Sequence, residues 1–532
     1  MLLRVAVLAL VLSPVAASAQ GGLTPAPNRG ANDGRGPFPR LVIQNVMLID
    51  GAGAPPQGPT NITIEGNRIT QVGGGGGGGR GGRGAAGQPQ AEIIDGRGMF
   101  VMPGLIDMHV HAGGAPKNAD AEYAYKLWLA HGITTVRGVP LGSFEFSKSE
   151  KERSAKNEIV APRIVNYQRP GTGQGAPAGL NTPEQARAWV RWAAQQGIDG
   201  LKVGAQDPPI MEALIDEAKK LGLGTTAHLQ QTGVGRMDAR DAARLGLGTV
   251  THFYGLFESL LKDYTIQPWD ATYNYSDEAH RFGQVARLWD KIHPPGSDEW
   301  KALIKEFKSL NTTLDPTMTI YAAGRDVMRA RNADFHEKYT LPTMWEFYQP
   351  SRGSHGSYWF DWTTADEVAW RNFYHVWMQF LNDYKKAGGR VTTGSDAGFI
   401  YKLYGFGLIE ELEMLQEAGF HPLEVIRAAT LHGAETLAIP SGKPIEMGII
   451  RPGMLADLVI IDQNPLHNLK VLYGTGAVKL NDATGQVERV GGVKYTIKDG
   501  IVYDAKKLLA DVEAMVQKQK GSRPTTNQDS QR

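Results

Sequence analysis

Between Met102 and about Ile439 the chain alternates short apolar runs with helix-forming segments, and this alternation constrains the fold more than any other feature. Eight runs read as β-strands: Leu105–His109, Thr134–Val136, Arg163–Tyr167, Gly200–Val203, Gly224–His228, Thr249–Phe253, Thr313–Pro316 and Val391–Ser395. Segments rich in Ala, Leu, Glu and Lys, such as Ile210–Leu221 and Asp238–Leu245, separate most of them. Parallel strands need crossover connections, and eight such units close into a (β/α)8 TIM barrel. The predicted fold class is therefore α/β, with the barrel over residues 102–440. Two gaps, after the sixth and seventh strands, are too long for plain crossovers. Together they span about 258–386 and hold eight of the eleven tryptophans.

The flanks have a different pattern. Leu41–Asp50 and Asn61–Val72 on one side, and Asp457–Ile461, Gln486–Val490 and Lys494–Asp504 on the other, alternate apolar and polar residues. Neither set is long enough to bury a sheet alone. The expectation is a small β-sandwich domain built from both chain ends, residues 20–101 and 441–504. A Gly-rich insertion, 73–87, interrupts the first half; no helix follows it and it holds only Arg80 and Arg83, so it reads as an exposed loop and not as a phosphate cradle. A helix over about Ala505–Lys518 and a polar, disordered tail fill residues 505–532.

Composition removes several function classes. Lys plus Arg (56) balance Asp plus Glu (55), so no basic field exists for nucleic acid. There is no cysteine, which excludes disulfides, thiolate nucleophiles and Cys-ligated metals. No G-x-S-x-G elbow and no Walker motif occurs. Residues 1–19 read as an export signal: Arg4 gives a positive start, Val5–Leu12 is apolar, and Ala17-Ser18-Ala19 is a cleavage pattern. The run is too short for a stable membrane anchor, which takes about 20 apolar residues. The expected location is periplasmic or secreted.

Six residues share one position in the pattern. His109 and His111 lie two apart on the first strand, so their side chains point the same way. Lys202 sits at the end of the fourth run, His228 of the fifth and His252 of the sixth, and Asp396 follows the eighth. Each lands at the C-terminal end of a barrel strand, the face on which such barrels carry catalytic groups. Singly, each has a structural explanation, such as a core histidine or, for Asp396, a helix cap. Lys202, flanked by Leu201 and Val203, resists one, because an unpaired ammonium in a barrel mouth is expensive.

These residues carry a resemblance. PGLIDMHVH, the lysine of DGLKV, the two later histidines, GSDAG, HPLEVIRAATLHGAETLAI and GIIRPGMLADLVIID together resemble metal-dependent hydrolases of the amidohydrolase superfamily, most of all its prolidase-like and imidazolonepropionase-related branch. The likeness runs from about Leu41 to Asp504. It implies two divalent metal ions; His and carboxylate ligands suit zinc, with Mn, Fe and Co as alternatives that ligand type alone leaves open. His109, His111 and Asp396 would hold one and His228 and His252 the other. Lys202, carboxylated by carbon dioxide, would bridge them, and Asp396 would act as general base and then acid. The implied activity is hydrolysis of an amide or peptide C–N bond in a small molecule such as an N-acyl amino acid or dipeptide. Lactone, ester or phosphoester hydrolysis on the same metals, or a non-catalytic ligand-binding barrel, are the alternatives. Assembly as a homo-oligomer is consistent with the family.

The chain departs from the branch near the fifth and sixth strands. Leu229-Gln230-Gln231 follows His228 where dipeptidases often carry Tyr, and Phe253-Tyr254 replaces a usual Gly. Tyr254, Tyr321 and Arg325 are the candidate substrate-binding residues: Tyr254 to polarise a carbonyl or merely to pack, Arg325 to take a carboxylate or to sit at the surface. Trp269, Tyr273, Trp345, Trp359 and Trp362 form either a lid over an apolar pocket or the core of a helical addition, packing being favoured for most of them.

Overall fold

A computed structural model describes residues 22–74, 90–269, 271–351, 356 and 361–522. The export signal at 1–19, most of the Gly-rich insertion, Trp359 and the tail from 523 lie outside the described residues.

The eight expected barrel strands are present, in chain order and parallel: Leu105–Val110, Ile133–Gly138, Arg163–Gln168, Gly200–Val203, Gly224–Ala227, Thr249–Thr251, Thr313–Asp315 and Arg390–Val391. Each is hydrogen-bonded to its neighbours in sequence, which gives a curled, TIM-barrel-like sheet. At its margins, Met108 N–H donates to Thr393 O (2.9 Å) and Asp396 N–H to His109 O (2.8 Å), joining the first strand to the segment after the eighth. The crossover helices follow from their sequences. Pro183–Gln195 starts at a Thr182–Gln185 capping box with Pro in its first turn, and buries Ala186, Trp189, Val190 and Ala193 along one stripe.

The last strands are shorter than expected. The run Val391–Ser395 keeps only Arg390–Val391, and Thr249–Phe253 ends at Thr251. His252, at φ 65°, turns into left-handed backbone directly after Thr251, and Asp396, at φ 47°, does so five residues beyond Val391. The ladder stops where the side chains turn into the mouth.

The two chain ends do form one sheet, in the order Ile501–Asp504, Val493–Lys498, Leu458–Ile461, Phe100–Pro103, Leu41–Leu48, Gln57–Glu65, Arg68–Val72, with Glu92–Asp95 also on Leu41–Leu48. The expected β-sandwich is corrected here to a single mixed sheet. Leu41–Leu48 carries register shifts around Val46, and the bent sheet wraps its own core of Ile43, Val46, Ile62, Ile64, Leu458 and Ile460. Gln486–Val490 does not join it. That strand is exposed along most of its length, with no face to bury, and pairs with Ala477–Asn481 in a separate hairpin. The closing helix, Ala505–Gly521, packs its Leu508, Leu509, Val512 and Val516 into the barrel's own core.

The long gaps fold as helices, mostly short, with one of 23 residues, Thr364–Lys386. Trp300, Trp370 and Trp377 are fully buried, while Trp269, Trp345 and Trp362 pack partly buried against the same core. Among the described residues no helix is long and apolar enough to cross a membrane.

Sheet and barrel are locked at the base of the third strand. Arg163 pairs with Asp457 (3.1 Å) and Asp499 (2.6 Å), both buried, and holds the Asp499 carboxyl below its ordinary range against the opposing effect of burial. Arg163→Met should destabilise the protein by roughly 3–5 kcal/mol at neutral pH, since it strands buried charge. A carboxyl whose folded pKa is depressed contributes stability above its unfolded value, near 3.9, and loses it as pH falls through the folded value. The difference between wild type and variant in urea unfolding should therefore shrink below about pH 4.

Candidate metal centre

The histidines are set by what their inner nitrogens touch. His111 Nδ1 lies 2.7 Å from Pro140 O, a pure acceptor, so Nδ1 carries the proton and Nε2 keeps its lone pair. Nε2 stands 3.6 Å from Asp396 Oδ1. His252 is fixed the same way. The Thr317 hydroxyl donates to Pro316 O, so it accepts from His252 Nδ1–H, and His252 Nε2 faces Asp396 Oδ2 at 3.7 Å. His109 Nε2 lies 3.8 Å from Asp396 Oδ1 and 3.0 Å from Lys202 Nζ. His228 closes the ring, its imidazole centred 4.6 Å from that of His252. The structure thus brings together all six residues expected at the strand ends.

Electrostatics suits cation binding. Burial, reinforced by the Lys202 charge, holds His109 and His111 well below the ordinary imidazole range, so both are neutral near pH 7. Burial likewise pushes Lys202 down to about 7, leaving much of it as free amine. His109, His252 and Asp396 each offer a donor atom, and the three atoms lie within 4.8 Å of one another. Neutral imidazoles, a carboxylate and a lysine amine, converging from five strand ends, are a donor set that fits divalent cations.

Several residues that matter here escaped the sequence reading. Asp107 is fully buried, accepts from Ser395 N–H (2.9 Å) and Oγ–H (2.6 Å), and ties the Asp396 loop to the first strand. Burial raises it to about 7. Its position two before His109, on the same side of the strand, was the available signal. Asp315 Oδ2 approaches His109 Nδ1 at 3.9 Å and is paired with Arg137. Nothing in the local pattern at Thr317 marked it.

The three substrate candidates part company. Tyr254 lies flat on His228, centroids 4.6 Å apart, and its hydroxyl accepts from Tyr321 at 3.4 Å. Burial raises the Tyr254 phenol, which keeps it a proton donor. Tyr321 stands edge-on to His252 at 5.6 Å. Arg325 is not free for a ligand: both terminal nitrogens bond Glu417 at 2.7 Å, beneath Tyr374.

Comparison with known proteins agrees with the fold. The amidohydrolase family (Amidohydrolase family) matches residues 375–502. A dihydroorotase of Aquifex aeolicus is 30% identical over 103 residues, 19% of this chain and 22% of that protein, so the chain spans about a fifth of the relative's length. Among solved structures, a Xaa-Pro dipeptidase with bound methionine superposes with TM-score 0.57 at 19% identity, over 87% of this chain and 100% of the other. A bottromycin amidohydrolase gives 0.60 at 17% identity, over 91% of each. The family match thus rests on the C-terminal part of the chain, and the solved structures share its barrel-like fold.

Proposed function

We propose that this protein is an exported binuclear metal-dependent amidohydrolase that cleaves an amide or peptide C–N bond of a small molecule. The observation that carries the reading is the buried Lys202 amine set against His109, inside a ring of His111, His228, His252 and Asp396. In this reading His109, His111 and Asp396 would hold one ion and His228 and His252 the other, with Lys202, as a carbamate, a shared ligand, in a closed (β/α)8 barrel. Such ions, zinc being the first choice, supply Lewis acidity that polarises a carbonyl and brings the pKa of water near neutrality.

The chain's own groups do the rest. The Lys202 amine, half deprotonated near pH 7, attacks carbon dioxide; its proton is lost to solvent and the cation becomes a two-oxygen anion. Pro140 O and Thr317 keep His111 and His252 in the tautomers that present Nε2 inward. Asp396, partly open to solvent, takes the proton of the attacking water on a carboxylate oxygen and returns it to the departing nitrogen. Tyr254 donates its hydroxyl proton in a hydrogen bond to the substrate carbonyl oxygen as negative charge builds there.

Elemental analysis of the purified protein, beside an activity screen on dipeptides and N-acyl amino acids, tests the whole. The expected result is two divalent ions per chain and turnover lost on chelation; a protein that binds no metal overturns it. Lys202→Ala should lose metal and roughly a hundredfold or more of kcat/KM together, with partial rescue by a short carboxylate. Full activity with two ions retained would remove Lys202 from the bridge. Tyr254→Phe should keep its metals and its KM and lower kcat roughly a hundredfold.

A further inference from the structure

A cavity of about 690 Å³ that shares no residue with the metal centre lies between the segments after the seventh and eighth strands and the exposed hairpin. Its apolar wall is Met328, Phe335, Phe406, Tyr473 and Val478. Met328 and Val478 are each 57% exposed, and nothing described above accounts for two large apolar side chains left open on one cavity. Four cations line the same space. Lys470 is paired with Glu413, Arg489 with Asp334, and Lys402 with Glu410 at 2.7 Å. Arg329 is left over: among the described residues no carboxylate lies within ion-pair distance of its guanidinium. Asp326, beside it in the lining, accepts from the Arg329 backbone N–H at 3.0 Å.

One pair in this wall is also a joint of the metal centre. Lys402 belongs to the turn that carries Asp396: Gly398 N–H donates to Lys402 O and Lys402 N–H to Phe399 O, both at 2.8 Å. Its Nζ donates to both oxygens of Glu410, at 2.9 and 2.7 Å. Glu410 Oε2 accepts in addition from the Thr319 hydroxyl at 2.9 Å, two residues beyond the Thr317 that fixes His252. A single ion pair therefore fastens the segments behind Asp396 and His252 and borders the cavity. Resting on the metal-centre reading above, we infer that this cavity is an effector site for a small apolar carboxylate whose binding weakens metal binding. One unpaired guanidinium calls for one negative charge, and the open apolar wall calls for a hydrocarbon body. The volume falls within the range of about 300–1,000 Å³ that small-molecule sites occupy. The carboxylate pairs with Arg329, and its charge competes with Glu410 for Lys402, which faces the same space. Glu410 then loosens its hold on the Asp396 turn and on Thr319, and the donor set spreads.

The test titrates octanoate, and octan-1-ol as its neutral counterpart, calorimetrically into the full chain with and without zinc. Octanoate should bind once per chain and at least about tenfold tighter than the alcohol, and Arg329→Gln should remove that preference. Saturating octanoate should lower zinc affinity roughly fivefold or more, and by linkage zinc should lower octanoate affinity by the same factor. Glu410→Gln, which keeps an acceptor for Thr319 and gives up the ion pair, should bind octanoate and show no such coupling. Absent binding, equal binding of acid and alcohol, or octanoate affinity unchanged in Arg329→Gln overturns the site. Zinc affinity indifferent to octanoate, or a zinc effect that persists in Arg329→Gln, overturns the coupling. Where the protein takes up no zinc, the metal-centre reading fails and the octanoate arm decides the site alone. A dimer in sedimentation that Val478→Asp dissociates, with no octanoate bound, assigns the face to a second copy and overturns the effector site.

Discussion

Beneath the strand ends, where barrels of this kind are filled by branched apolar side chains, Arg137 and Asp315 meet at 3.1 Å with neither side chain exposed. Removing two charges from water is tolerable only when the geometry satisfies them fully. Here it does. Arg137 Nε donates to Met108 O on the first strand, Nη1 to the Thr249 hydroxyl on the sixth, and Thr392 donates to Asp315 Oδ1. The pair is a polar floor that ties distant strands together, and His109 stands on it, with Nδ1 3.9 Å from Asp315 Oδ2. Gly394 shows how close the fit is: a Cβ there would fall 2.7 Å from Asp315 Oδ1 and 2.8 Å from His109 Cβ.

Above the floor the strands end in strain. His252 and Asp396 both hold left-handed backbone, which costs of order 1–3 kcal/mol each and persists only where the surroundings enforce it. Backbone bonds do the enforcing: His252 N–H to Asp315 O and Asp396 N–H to His109 O. An aromatic stack buttresses the same place from outside. Trp370 lies parallel to Tyr321 at 5.9 Å, and Tyr321 meets His252 and Phe253. The Trp-rich insertions thus act on the centre mainly through packing, one layer removed from it.

How much of this was legible in the sequence depends on the kind of signal. The barrel strands were, because a buried parallel strand is a continuous apolar run with a reactive residue at its end, as at Gly200–Val203 and Lys202. The six converging residues followed from that periodicity alone. What failed depends on contacts remote in sequence. Arg325 looked available because Glu417, which consumes it, lies on another helix. Gln486–Val490 alternates like a sheet strand, yet its partner is a hairpin neighbour and not the domain expected. The stacked sandwich became one sheet because strands from the two ends pair edge to edge, Phe100–Pro103 with Leu458–Ile461, a partnership that alternation within either strand does not specify.

The sheet made from both ends has a consequence for the timing of folding. Phe100–Pro103 pairs with Leu458–Ile461, and the helix from Ala121 to Ala130 is covered by Ala505–Gly521, so early elements wait for late ones. At a ribosome's pace of about 5–20 residues per second, that delay is roughly tens of seconds, during which a row of strand hydrogen-bonding groups stands open. The strand pairing that joins the two ends is therefore closed only when nearly all of the chain has emerged.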